Sequence, residues 1–185
     1  MATPTLDRAA TLSKCGTYRW LLDRWWGNGP LLGFVMLNPS TADAEHDDAT
    51  IRRCMGFAQS LGYDGIRVAN VFPFRATDPS VLIAAGLDDF EMVQPEQSFD
   101  CVRAMSCVDV GRVIAAWGSP KHAVIERGVR RMLTAVDRDW WCLGRTKQDH
   151  PRHPLYLPSN ALPTMWRRSS NAAIEDADAE TLPRD

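Results

Sequence analysis

The chain predicts an α/β fold built on a mostly parallel sheet, and three observations carry that prediction. Leu31 to Leu37 reads LLGFVML, an apolar run without polar alternation, as expected of a central strand covered on both faces. Ile51, Cys54, Met55, Ala58 and Leu61 recur at helical spacing with Arg52, Arg53 and Gln59 between them, the pattern of an amphipathic helix. Strand-like and helix-like segments then alternate, which implies βαβ crossovers. The expected architecture is a three-layer α/β/α sandwich whose central sheet has about four parallel strands plus an N-terminal antiparallel hairpin strand.

Each element has a local reason. Residues 17–26 (TYRWLLDRWW) are rich in aromatic side chains, and Gly27-Asn28-Gly29-Pro30 is dense in turn formers, so this segment is expected to form a hairpin with Leu31–Leu37. Asp47 or Asp48 caps the helix that follows, and Gly62 closes it. Ile66–Phe72, Arg112–Trp117 and Asp139–Leu143 read as the remaining strands. Thr77-Asp78-Pro79 opens a short helix ending near Gly86, and a longer one is expected between Pro95 and Val108. Ser119-Pro120 supplies a cap and a first-turn proline for a helix whose apolar face is Ile125, Val129, Met132, Leu133 and Val136. Pro151, Pro154, Pro158 and Pro163 impose an ordered, irregular loop, and Ser169–Asp185 is polar and acidic. One domain over 1–168 and a tail over 169–185 are expected.

Composition narrows the functional classes. A length of 185 residues with 45% hydrophobic and 24% charged side chains is that of an ordinary globular domain, which excludes wholesale disorder. Lys plus Arg is 21 against 23 Asp plus Glu, a net charge of −2, so a generally basic nucleic-acid coat is excluded while a local basic cleft is not. No apolar run approaches the roughly 18 residues needed to cross a bilayer, and the first residues lack the apolar stretch of a signal peptide, so a cytoplasmic protein without membrane contact is expected. Five cysteines without a CxxC suggest neither a disulfide framework nor a zinc or iron–sulfur cage, and most are expected as buried thiols.

In an open parallel sheet, ligands bind outside the carboxyl ends of the strands, where loops converge. The segments after the four strands are all polar there. Asn38-Pro39-Ser40-Thr41-Ala42-Asp43 and His46-Asp47-Asp48 follow the first, and Asn70, Phe72 and Arg75 lie at the end of the second. Trp117-Gly118-Ser119 ends the third, and Arg145, Thr146, Lys147, Asp149, His150, Arg152 and His153 follow the fourth. Each has a plainer reading. Asn38-Pro39-Ser40 also suits a simple turn, Asp47 and Asp48 suit helix caps, and Arg75 suits either a phosphate fork or a pairing with a carboxylate. Trp117 suits either a core wall or a stacking platform, whereas Trp20, Trp25, Trp26, Trp140 and Trp141 read as packing.

The stretches LNPSTAD (37–43), DDATIRRC (47–54), ANVFPFRATDP (69–79), AAWG (115–118) and HPRHPLY (150–156) together resemble the bacterial and phage family catalogued as domain of unknown function 1643. A more distant similarity links the order of these motifs to the uracil-DNA glycosylase superfamily. That similarity implies a glycosylase-like fold, with Asn38 matching a water-positioning Asn and either His150 or His153 matching a late His that stabilises the departing base. Ser40 stands where the superfamily has a second glycine, and no His-Pro-Ser occurs in the late loop.

Three functions then compete. The first is a metal-independent N-glycosidase with Asn38, Asp43, His150 and His153 as its catalytic candidates. Its substrate contacts would come from Pro39, Ser40, Thr41, Asp47, Asp48, Asn70, Phe72, Arg75, Trp117, Gly118, Lys147 and Arg152, and its partner would be a nucleotide, a modified base or locally single-stranded DNA. No cofactor and no protein partner are implied. The second is a nucleotide-binding module without turnover. The third is a phosphohydrolase or nucleotidyl transferase with Mg²⁺ on Asp43, Asp47 and Asp48.

Overall fold

The computed structural model describes residues 5–78, 80–84 and 103–169. Within them the chain runs β1 (Asp7–Leu12), β2 (Arg19–Trp25), β3 (Leu31–Met36), α1 (Ala49–Ser60), β4 (Gly65–Asn70), α2 (Ser80–Ala84), β5 (Val110–Ala115), α3 (Ala123–Ala135), β6 (Trp140–Cys142), a 3₁₀ turn (Pro154–Tyr156) and β7 (Thr164–Arg167). The strands form one seven-stranded mixed sheet in the order β1-β2-β4-β3-β5-β6-β7. Its centre is parallel: β3 pairs with β4 from Leu31↔Gly65 to Met36↔Asn70 and with β5 from Leu31↔Val110 to Val35↔Ala115, and β5 pairs with β6. The loops after these strands therefore leave from one edge, the rim on which the functional reading depends.

The apolar run of β3 is explained by its place in the middle, with all six residues buried. On one face Leu32, Phe34 and Met36 pack with Ile51, Cys54, Phe57 and Ala58 of α1. On the other, Val35, Val113 and Ala115 pack with Leu82 of α2 and with Ile125, Val129 and Met132 of α3. Each such aliphatic side chain contributes roughly 1.5–3 kcal/mol through burial. Asp48 caps α1 by accepting from the Ile51 N–H at 2.8 Å, and Gly62 follows the helix with φ +76.

The mixed α/β class holds, and the strand count and pairing are corrected. Among the described residues the sheet has seven strands, because the edge strands β1 and β7 add to β2 and the four parallel strands. The hairpin of residues 17–26 with β3 does not form: β2 pairs antiparallel with β4, which lies between β2 and β3. Asp64, just ahead of β4, is the physical cause. It takes the Gly29 N–H on Oδ2 (2.6 Å), accepts the Trp26 N–H on its carbonyl (2.8 Å) and donates its own N–H to the Pro30 carbonyl (3.0 Å). The Gly-Asn-Gly-Pro turn thus wraps around Asp64, and a Cβ on Gly27 would stand 2.5 Å from its carboxylate.

Two further boundaries move. α3 starts after His122, whose Nδ1 accepts from the Val124 N–H at 3.3 Å, so Ser119-Pro120 belongs to the preceding loop. Of the described cysteines, Cys54 and Cys142 are buried whereas Cys15 and Cys107 are exposed. The helix expected between Pro95 and Val108 lies largely outside the described residues, as do Cys101 and the chain beyond Ser169. Among the described residues no helix is long and apolar enough to cross a membrane.

Candidate functional site

Backbone bonds lock the loops after β3 and β4 to each other. Asn38 spends both hydrogens of its amide, donating to the carbonyls of Ala76 (2.7 Å) and Pro39 (3.2 Å), while the Ala76 N–H donates to the Pro39 carbonyl (2.9 Å). Its Oδ1 is thereby the atom left to act on a ligand. Arg75 donates to the carbonyls of Ser40 (3.3 Å), Gly16 (3.1 Å) and Thr41 (3.0 Å), so its guanidinium ties its own loop to two other backbone segments.

The three aspartates divide into separate tasks. Asp43 accepts the backbone N–H groups of Glu45 (2.9 Å) and His46 (2.8 Å) on Oδ1, and these bonds hold its carboxyl down at about 2. Asp47 receives Arg24 on one oxygen (2.7 Å) and Arg8 on the other (2.5 Å). Asp48 is the α1 cap. Among the described residues no group of three or more His, Cys, Asp or Glu side chains is gathered to hold a metal ion.

Beneath this edge lies a residue that sequence reasoning passed over. Arg19, 1% exposed, opens β2 and so stands beside the carboxyl end of its antiparallel neighbour β4. It donates through Nη1 to the Ala42 carbonyl (2.8 Å) and through Nη2 to Asn70 Oδ1 (3.3 Å). Its Nε and the Nδ2 of Asn70 are buried without a partner. Burial lowers its pKa to about 10, opposed chiefly by the charge of Asp48, so it stays protonated at neutral pH. The only signal in the sequence was an arginine within an aromatic strand, which composition does not single out.

The late loop is tied to the rim and to α1. Gly118, at φ +82 where only glycine is unstrained, donates its N–H to the Pro151 carbonyl at 3.0 Å. His150 is held through its backbone, accepting from the Thr146 N–H (2.8 Å) and donating to Thr146 Oγ1 (3.1 Å). His153 caps the 3₁₀ turn: its Nδ1 accepts from the Leu155 N–H at 3.3 Å, which leaves Nε2 to carry the proton of the neutral ring. Burial lowers the His153 pKa, and the Asp48 carboxylate partly offsets this. Arg53 of α1 anchors the end of the turn by donating to the Leu157 carbonyl.

The predicted site residues therefore separate. Asn70 bonds to Arg19, Asp43 and Asp48 act on Arg19 through their charges, and Asp48 also acts on His153, while Asn38 ties the loops after β3 and β4. Phe72 is 1% exposed and packs against α3, where the ring blocks any Cβ on Gly128, so it does not line the rim. Trp117 is 4% exposed and wedged edge-on between Trp140 and Trp166, a core wall and not a stacking platform. Lys147 and Arg152 are exposed, the latter donating to the Tyr156 carbonyl (3.0 Å). Pro39 is buried, Ser40 half-buried and Thr41 exposed.

The model of the family described as "Protein of unknown function (DUF1643)" matches residues 19–155, a span that begins at Arg19 and includes every loop of this rim. The chain belongs to the DUF1643 family. No curated protein matches it. In this DUF1643 chain a shallow depression of about 440 Å³ also lies at the opposite, amino end of β5 and β6, lined by Gly111, Arg112, Arg138, Asp139, Trp141 and Ser169. Arg138 is committed there to the carbonyls of Met105 (3.1 Å), Val110 (2.7 Å) and Gly111 (2.9 Å) and Arg112 to the ring of Trp141, so the depression is a structural join.

Proposed function

We propose that this DUF1643 protein recognises a nucleobase at the carboxyl edge of its parallel strands and hydrolyses the N-glycosidic bond that carries it, using a fold akin to that of the uracil-DNA glycosylases. The observation that carries the reading is the setting of His153: a partly buried imidazole, fixed by its own 3₁₀ turn with Nε2 as donor, within the field of Asp48, the cap of α1.

The chemistry follows from charge. Breaking the bond between C1′ and the base leaves its electron pair on the base and positive character on the sugar, so a donor at the base and a held water at C1′ suffice. Asn38 Oδ1 would hold that water. Asp43, ionised at every physiological pH, would take its proton through the second carboxylate oxygen. Neutral His153 would donate from Nε2 to the oxygen of the leaving base. The near-neutral net charge favours a free nucleotide, a modified base in one, or locally opened DNA over intact duplex.

A Mg²⁺ site on Asp43, Asp47 and Asp48 has less support. Asp47 is bound on both oxygens by arginines, Asp43 holds the N–H groups of Glu45 and His46, and Asp48 holds that of Ile51. The two readings separate in one assay: the purified protein is incubated with nucleotides and oligonucleotides, with and without EDTA, and released base and phosphate are identified by mass spectrometry. Base release that survives chelation is the expected outcome. Phosphate release lost on chelation would replace the proposal with the metal-dependent reading, and binding without product would reduce it to a nucleotide-binding module.

A further inference from the structure

We infer that Arg19 and Asn70 form a subsite for one anionic oxygen of the ligand, which joins them by accepting from Arg19 Nε and Asn70 Nδ2. This rests on the reading of the rim as a nucleotide site. Two unpartnered N–H donors are buried on two residues that bond to each other, Arg19 being 1% exposed and Asn70 8%. Buried polar groups are almost always paired, so two adjacent exceptions call for a common acceptor.

The charge balance identifies the kind of acceptor. The direct partners of the Arg19 guanidinium are a backbone carbonyl and an amide oxygen, both neutral, and among the described residues no carboxylate forms an ion pair with it. A buried cation is retained at a cost of several kcal/mol when it lacks a counter-charge. Asp48 and Asp43 reach it only through their fields, and the positive charges of Arg75 and Arg24 oppose them. An oxygen bearing negative charge would supply both the missing acceptor and the missing charge. The bond from Arg19 Nη2 to Asn70 Oδ1 also fixes which way the Asn70 amide faces: its oxygen is spent on the guanidinium, so only its N–H group is offered. The pair therefore selects an acceptor and rejects an amino group.

Two sources share this chemistry, a phosphate oxygen and the oxygen of a base that becomes anionic as it leaves. The test is NMR on the ¹⁵N-labelled full chain, following Arg19 Nε–H, the Asn70 side-chain amide and the His153 ring during titration with inorganic phosphate, the four 2′-deoxynucleosides and their 5′-monophosphates. Downfield movement of both the Arg19 and Asn70 signals with phosphate and monophosphates supports the subsite with phosphate as its occupant. The same movement with nucleosides and monophosphates, but not with phosphate, supports it with the base oxygen. Asn70→Ala should weaken that binding about tenfold or more, the scale of a charge-assisted hydrogen bond, and Arg19→Lys should weaken it while circular dichroism stays unchanged. Movement of His153 without Arg19 or Asn70 overturns the subsite and leaves the rim as the nucleotide site. No movement of any of the three overturns both.

Discussion

Arg19 and Arg24 lie on the same strand, are buried to 1% and 0%, and are satisfied in opposite ways. Arg24 uses its whole fork. Nε meets Asp47 (2.7 Å), Nη1 meets the carbonyls of Asp23 (2.8 Å) and Ala9 (3.3 Å), and Nη2 meets those of Asp43 (2.5 Å) and His46 (3.4 Å). Arg19 has two partners, neither charged, and an idle Nε. A guanidinium with every donor matched is a device for holding backbone, here tying β1 and β2 to the loop of residues 43–47. One with donors left over beside a rim is poised toward something the chain itself does not supply. Burial alone does not distinguish these roles, whereas the count of satisfied donors does.

The most damaging way to probe the comparison is Arg24→Ala. It leaves Asp47 with Arg8 alone and strands four carbonyls, and losing the buried partner together with these bonds costs about 3–5 kcal/mol. Urea denaturation should show a loss of that size, without any change in which nucleotide binds to the protein that remains folded. A loss below about 1 kcal/mol would mean that the Arg24 network contributes no more than a surface pair.

Asn38→Ala probes the loop that both arginines hold. Base release should fall by about 10² to 10³-fold, the scale of about 2.7–4 kcal/mol for one preorganised polar contact. Folding should lose only about 1 kcal/mol, because the 2.7 Å bond to the Ala76 carbonyl goes with the side chain. Single-turnover kinetics beside a melt on the same sample separates the two effects. Equal fractional losses in activity and in folded protein would show that Asn38 only ties the loops.

How much of this was legible in the sequence differs by region. The four parallel segments were, because a strand buried on both faces must read as an unbroken apolar run and α1 must show one apolar stripe. The edges were not. β1 exposes most of its residues and β7 is four residues long, so neither has the burial that leaves a pattern. The false hairpin was a failure of partner choice: turn chemistry at Gly27–Pro30 was read correctly, but Asp64 determines what the turn encloses. At the rim, Asn38 and the pair His150 and His153 stood out because polar clusters follow each parallel strand and their order resembles that of the glycosylase loops, and nothing in the sequence chose between the two histidines. Arg19 was missed because its significance lies in which bonds it fails to make.

Arg19→Met is the direct counterpart to Arg24→Ala and should be far milder. The Ala42 carbonyl and Asn70 Oδ1 each lose a partner, about 1 kcal/mol apiece, while a desolvated charge is removed, so the net change should stay within about 1 kcal/mol of zero. A loss as large as that of Arg24→Ala in the same urea titration would erase the distinction between the two arginines.

Asp48→Asn is the gentlest change and tests the field that joins Arg19 to His153. Asn caps a helix about as well as Asp, so the bond to the Ile51 N–H survives and stability should move by only a few tenths of a kcal/mol. What disappears is a negative charge that raises the pKa of both Arg19 and His153. The His153 titration, followed by NMR of the ring, should therefore move further down. The sign for stability follows from the same direction. A histidine whose folded pKa lies below its unfolded value binds fewer protons when folded, so its contribution is complete above about 6.5 and is lost as pH falls through the lower folded value. Removing Asp48 deepens that acid sensitivity, while at neutral pH the change stays at a few tenths of a kcal/mol. An upward shift of the His153 titration, or none, would place Asp48 out of reach of the imidazole and detach the late loop from the rim.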